Sequence, residues 1–159
     1  MQGYSLLELL ARHPFTSNLS DEQREALASL ALVKVYEPDE LLIQEGRSAT
    51  AFYLIVDGLV AIEMFLPSGG VRRLQTVGAG SAVGWSWMVP FQRWEFDARA
   101  LERTRAIVLD AERLRELFDR ECYLGLHLLG KLLVVVAGRL TAARLQLLDV
   151  YGLPQEMGR

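Results

Sequence analysis

Short apolar runs separated by turn residues fill residues 32–109, and this pattern constrains the fold more than any other feature of the chain. Runs of this length, bounded by glycine, proline and aspartate, are typical of short antiparallel strands. The Asp57-Gly58 pair and the Ser68-Gly69-Gly70 loop each predict a hairpin. The predicted strands are residues 32–36, 41–44, 52–56, 59–66, 71–77, 97–102 and 105–110. The sequence therefore predicts a β-sandwich or β-roll.

Helical patterns flank this region on both sides. Capping boxes at Ser5 and Ser20 begin short helices predicted over residues 6–12 and 21–31. After the last predicted strand, an apolar spacing of about 3.6 residues predicts a short helix and then a long one over residues 122–149. The chain is therefore expected to be mainly β, with helices at both ends.

One domain accounts for the 159 residues, of which 51% are hydrophobic and 23% are charged. Its expected parts are N-terminal helices in residues 1–31, the roll in 32–110, C-terminal helices in 111–151 and a tail in 152–159. The net charge of -3 gives no overall attraction for nucleic acid, so no direct nucleic acid binding is expected. A single cysteine and no export signal indicate the cytoplasm.

The long predicted helix carries two apolar stripes. The first has the three- and four-residue spacing of a coiled-coil seam and consists of Leu126, Leu129, Leu133, Val136, Leu140, Ala143, Leu147 and Val150. The second is confined to the first half and consists of Leu124, Leu128, Leu132 and Val135. A homodimer through the longer stripe is expected, in preference to a helix packed wholly on its own domain. The most apolar stretch, residues 126–137, is shorter than the roughly 20 residues of a membrane span, so no membrane partner is expected.

A glycine-punctuated motif lies in the first half of the predicted roll. It consists of Leu42-Ile43-Gln44-Glu45-Gly46, Ala49, Phe52-Tyr53-Leu54-Ile55 and Gly58. It resembles the first signature of the cyclic-nucleotide-binding domains of catabolite-activator-type regulators, protein kinase A regulatory subunits and nucleotide-gated channels, and only Arg47 departs from it. The resemblance extends over nearly the whole chain. It implies a jelly-roll-like β-roll, a long C-terminal helix and a regulatory role in signal transduction.

The second signature of that family is a phosphate-binding cassette, and here the chain departs from the pattern. The resemblance implies a Gly-Glu opening, whose glutamate binds the ribose, and a closing arginine for the cyclic phosphate. Gly84 is present, but Trp85 stands at the glutamate position. The arginine position falls on Trp94, or on Arg93 if the cassette is one residue shorter. Backbone N–H groups of a short helix after Gly84 remain expected phosphate donors, with Arg93 or Arg99 as the guanidinium.

Two interpretations of the clustered tryptophans stay open. The rings either plug the pocket that a nucleotide would occupy or line a pocket for a different flat or apolar ligand. The candidate ligand-binding residues are Gly84, Trp85, Ser86, Trp87, Arg93, Trp94, Asp97 and Arg99. Asp97 and Arg99 point the same way in a strand, so a mutual ion pair is an equal alternative for them.

No catalytic or metal-binding pattern is visible. The chain has no nucleophile elbow, no His-Glu-x-x-His and no Walker loop, and its two histidines, His13 and His127, lie far apart. No cofactor is implied, and a cyclic nucleotide is disfavoured by the altered cassette. The leading hypothesis is a stand-alone dimeric sensor for a small ligand that signals through its long helix or a separate protein partner. The alternatives are a ligand-free interaction or scaffold module and a piece of a larger regulator.

Overall fold

The computed structural model describes residues 3–89 and 92–150, and its strands form two four-stranded antiparallel sheets. The strands are β1 Ala31–Tyr36, β2 Leu41–Ile43, β3 Ala51–Asp57, β4 Leu59–Phe65, β5 Val71–Gly78, β6 Ala82–Val83, β7 Asp97–Ala100 and β8 Thr104–Asp110. The helices are α1 Leu6–Arg12, α2 Asp21–Ala28, α3 Ala111–Arg120 and α4 Cys122–Val150. One sheet has the order β1-β8-β3-β6 and the other β2-β7-β4-β5. The predicted β-roll with flanking helices is confirmed.

The local sequence signals position these elements closely. Every predicted strand is present within two residues of its expected bounds. Both capping boxes form, since the hydroxyls of Ser5 and Ser20 accept hydrogen bonds from N–H groups three residues ahead. Gly58 closes the β3–β4 hairpin at φ +94°, and a Cβ there would lie 2.4 Å from the hydroxyl oxygen of Thr104. Glycine is therefore required at position 58 for its positive φ and because a side chain would collide with Thr104.

One predicted helix ends early, and one short strand was not predicted. The helix expected over residues 21–31 ends at Ala28, because β1 begins at Ala31 and pairs with β8. The two-residue strand β6 was not predicted, because Ala82 and Val83 are too few to show a periodicity. The expected tail, residues 152–159, lies outside the described residues.

The first half of α4 completes the core of the domain. Its shorter apolar stripe is buried, with Leu124, Leu128 and Leu132 each no more than 4% exposed. The ammonium group of Lys131 donates to the carbonyls of Pro14 and Phe15 at 3.2 and 2.9 Å, which holds the α1–α2 loop against α4. The helix is therefore fixed to the roll through this face.

The longer stripe of α4 faces away from the core over most of its length. Leu126, Leu133, Leu140 and Leu147 are 50–71% exposed, whereas Leu129 and Val136 are half-buried. By length and composition α4 could also cross a membrane, so the estimate of a dozen apolar residues was too short. One such helix is weak evidence for a membrane, and the charged Lys131, Arg139 and Arg144 interrupt this one.

Candidate ligand site

The cassette segment follows β6 and is shorter than the helix expected there. Gly84 adopts φ +82°, and a single 3-10 turn, Ser86–Met88, comes next. Within it, the N–H groups of Met88 and Val89 donate to the carbonyls of Trp85 and Ser86. Val89 is extended, as the residue before a proline prefers, so the turn ends there. The described residues that follow Gly84 therefore form a 3-10 turn in place of the helix whose N-terminus the family resemblance implied for a phosphate.

Trp94, one of the two residues on which the arginine position could fall, fills the interior of the roll. Its indole is 5% exposed, and a Cβ on Gly84 would lie 2.8 Å from the ring. The backbone around it pairs with the loop after β2, since Trp94 donates to the carbonyl of Arg47 and accepts from the N–H of Gly46. The Phe96 ring lies 6.2 Å from the Trp94 ring. An apolar ring therefore occupies this part of the cassette.

Strand alternation places three of the candidate ligand-binding residues, Arg93, Asp97 and Arg99, on the face opposite to this interior. Trp94, Phe96 and Ala98 are buried, while the residues between them lie on the other face. The guanidinium of Arg93 donates to the carbonyl of Gly46 at 2.8 Å. These contacts place Arg93 on the outer surface of the roll.

Asp97 and Arg99 lie on the same outer face but do not pair with each other. Asp97 accepts the N–H of Glu45 at 2.7 Å. Arg99 donates to the carboxylate of Glu63 at 3.1 Å and to the carbonyl of Asp39 at 2.9 Å. The expected ion pair between the two residues is therefore replaced by separate contacts that tie the sheet together.

Trp87 belongs to the helical side of the core rather than to the cassette interior. Its ring is 2% exposed and lies 5.8 Å from Phe52 and 6.0 Å from Phe118, and its indole N–H has no hydrogen-bond partner among the described residues. The guanidinium of Arg115 in α3 donates to the carbonyl of Trp87. The aromatic cluster is thus divided between two compartments, and the half-exposed Ser86 lies between them.

Trp85 meets α4 through Arg139, a residue that the sequence analysis missed. The Arg139 guanidinium lies 4.6 Å from the centroid of the Trp85 ring and donates to the carbonyl of Ala82 at 2.6 Å. Burial lowers the pKa of Arg139 to about 10, so the group stays charged at neutral pH. A signal was available, because a further step of four residues along the shorter apolar stripe, from Val135, arrives at Arg139.

Two grooves flank Arg139 between the roll and α4. The smaller, of about 260 Å³, is lined by Ile62, Leu74, Gln75, Trp85, Phe96, Arg139, Ala142, Ala143 and Gln146. Ala143, expected in the dimer seam, therefore faces the roll. The larger, of about 490 Å³, extends toward Lys131 and Pro14 and shares Gln75 and Arg139 with the first. Both grooves thus lie beneath α4.

An antiparallel β-roll followed by a glycine-led segment and a long helix is the architecture of the cyclic nucleotide-binding domains. The chain belongs to the cyclic nucleotide-binding domain family, whose model matches residues 33–121. It is 32% identical over 113 residues to a protein of Rhodopseudomonas palustris named as a potassium channel. That match covers 71% of this chain and 27% of the relative, so the chain spans about a quarter of the relative's length.

Solved structures share the fold. A protein of Geobacter metallireducens named for cyclic nucleotide binding is 23% identical, with a TM-score of 0.73 over 87% of this chain and 99% of that one. The sensor domain of the transcriptional regulator DNR from Pseudomonas aeruginosa is 20% identical, with a TM-score of 0.68 over 84% of this chain and 89% of that one. At these identities the likeness shows the architecture alone.

Proposed function

We propose that this chain is a regulatory sensor module that binds a small ligand other than cAMP or cGMP and transmits its presence through α4. The observation that carries the proposal is the contact of Arg139 with Trp85 and the carbonyl of Ala82. It joins the cassette to a helix that presents a stripe of exposed leucines. A ligand that moves Trp85 or Arg139 therefore changes how that face is held.

The output of the module is a homodimer formed through α4, or a separate protein partner that binds the same face. Exposed apolar residues repeat along this helix with the spacing of a coiled-coil seam. Surfaces of this kind on soluble domains mark interaction sites. The family membership supports a cytoplasmic regulatory role without catalysis.

Cyclic nucleotides should bind weakly or not at all, because Trp85 stands at the family's glutamate position and the phosphate arginine is displaced or missing. Trp85 offers no acceptor to a ribose hydroxyl, and the arginine position falls on the buried Trp94 or on Arg93, which donates to the carbonyl of Gly46. Each lost charge-assisted hydrogen bond costs about 1.5–3 kcal/mol, so affinity falls roughly a hundredfold to ten-thousandfold. Isothermal titration with cAMP, cGMP and c-di-GMP measures this directly. A cAMP dissociation constant of about 1 μM or below would contradict the proposed ligand choice.

A second candidate function is a ligand-free interaction module. The burial of Trp94 against Gly84 favours it, since the chain fills this part of its own cassette. The grooves beneath α4 favour the sensor, because they leave space beside Trp85. The two functions differ in whether a change at the cassette alters α4, which hydrogen exchange in an Arg139 variant measures.

A further inference from the structure

We propose that the smaller groove binds an aromatic carboxylate, with the acid group on Arg139 and the flat ring beside Trp85 and Phe96. This inference rests on the proposed sensor function and names the class of its ligand. It follows from three properties of the groove: its charge, its apolar walls and its size.

Arg139 has hydrogen-bond donors that no described residue uses. A guanidinium has five N–H donors, and the described residues provide one acceptor, the carbonyl of Ala82. None of the ion pairs among the described residues includes Arg139. A half-buried guanidinium without a carboxylate carries a desolvation cost that an anion would offset.

The surroundings of Arg139 also favour an anion. Among the residues that the structure describes, the two grooves are lined by two cations, Arg139 and Lys131, and by no aspartate or glutamate. Lys131 already donates to the carbonyls of Pro14 and Phe15. Arg139 is therefore the cation that remains for a ligand, and a carboxylate matches its planar fork.

The remaining walls select the body of the ligand. Ile62, Leu74 and the two aromatic rings are apolar, and the small Ala142 and Ala143 leave room for a ring beneath α4. The volume of the smaller groove, about 260 Å³, is just below the roughly 300–1,000 Å³ of pockets that hold drug-sized molecules. A body of one or two fused rings fits these walls better than a nucleotide, which would bring a ribose and a charged phosphate into apolar contact.

Isothermal titration of the full chain with 2-naphthoate tests the inference, and neutral 2-naphthamide is the matched probe. We expect 2-naphthoate to bind with a dissociation constant below about 1 mM and the amide to bind at least tenfold more weakly. Arg139→Met should remove this preference for the acid. Arg144→Met, which changes an exposed arginine of the same helix, should leave both affinities unchanged.

Each adverse result has a distinct meaning. Absence of 2-naphthoate binding at about 1 mM, or equal affinity for acid and amide, overturns the proposed ligand class. Equal loss in Arg139→Met and Arg144→Met overturns the assignment of Arg139. If Arg139→Met does not fold, the comparison of acid with amide on the unmodified chain still tests the proposed ligand class. None of these results bears on whether α4 responds to the cassette, so failure of the sensor function is measured separately.

Discussion

At the residue scale, Trp94 shows how a binding position becomes part of the core. Its indole is 5% exposed and packs on Gly84 and Phe96 inside the roll. We expect Trp94→Ala to lower the free energy of unfolding by about 3–5 kcal/mol, because it leaves a cavity among residues that cannot collapse. Thermal or urea unfolding measures the change.

The matched substitution is Trp85→Ala, which removes an identical side chain that is only half-buried. It should cost clearly less than Trp94→Ala, because less apolar area returns to water. Equal losses for the two variants, or a Trp94→Ala protein as stable as the unmodified chain, would show that Trp94 does not fill the interior.

His13 makes stability depend on pH. It is buried, its Nε2–H faces the carbonyl of Ile55 at 3.1 Å, and its Nδ1 accepts the N–H of Phe15 at 3.2 Å. Burial lowers the pKa of His13 below its ordinary 6.5, so the unfolded chain binds a proton first as pH falls. The contribution of His13 is complete above pH 6.5 and is lost progressively below it, down to the folded pKa.

Urea unfolding measured from pH 8 to pH 5 checks this expectation, within about the range where histidine titrates. His13→Gln should flatten the decline of stability below pH 6.5, although it lowers stability throughout. His127→Gln is the control, because that histidine is exposed. An unchanged decline in His13→Gln would assign it to other groups.

The candidate site was predictable from the sequence only in part. The alternation of side chains along a strand shows which residues share a face, but not which face is buried. Alternation correctly places Asp97 and Arg99 on one face, but it does not say which face of the sheet is the interior. Because Trp94 and Phe96 are buried, their face is the interior, and Arg93 lies on the outer face. Arg139 was missed because it comes from α4, more than 40 residues from the cassette, and only the folded chain brings them together.

At the element scale, turn chemistry carried most of the predictive information. Strands bounded by Asp57-Gly58 or the Ser68-Gly69-Gly70 loop were located closely because these residues allow positive φ. The cassette helix was predicted from the family pattern and is a 3-10 turn instead, because Pro90 follows Val89. Short elements without a periodicity of their own depend on such local chemistry.

The exposed stripe of α4 leads to a prediction on assembly. Leu140 is 50% exposed on the seam, and Leu145, 57% exposed, lies about 140° around the helix from it. Leu140→Glu should convert a homodimer into a folded monomer, because it buries an unpaired charge at the interface. Leu145→Glu introduces the same charge off the seam and should leave the dimer intact.

Sedimentation velocity measures the oligomeric state, and circular dichroism confirms that both variants fold. A monomeric unmodified chain at tens of micromolar, roughly the range in which weak dimers form, would contradict the prediction. Equal dissociation by the two substitutions would place the interface elsewhere on α4.

At the scale of the whole molecule, Arg139 is the half-buried residue through which the second half of α4 hydrogen-bonds to the roll. Among residues 137–149, Arg139 alone is not exposed. Its cation–π contact and its hydrogen bond to Ala82 therefore connect an otherwise free helical segment to the cassette. This arrangement lets a small event near Trp85 act on a long helix, which a uniformly packed helix would resist.

We therefore expect Arg139→Ala to release the end of α4 while the roll stays folded. A cation–π contact contributes about 0.5–2 kcal/mol and a charged hydrogen bond about 1.5–3 kcal/mol, so amide exchange in residues 139–149 should accelerate at least tenfold. Hydrogen exchange followed by mass spectrometry resolves this segment from β3 and β8, whose exchange should not change. Arg144→Ala is the control, since that side chain is exposed on the same segment.

If both variants exchange alike, the cassette does not govern α4 and the ligand-free interaction module is the better account. If Arg139→Ala also shifts the dimer dissociation constant, the contact links the cassette to assembly, as a sensor requires.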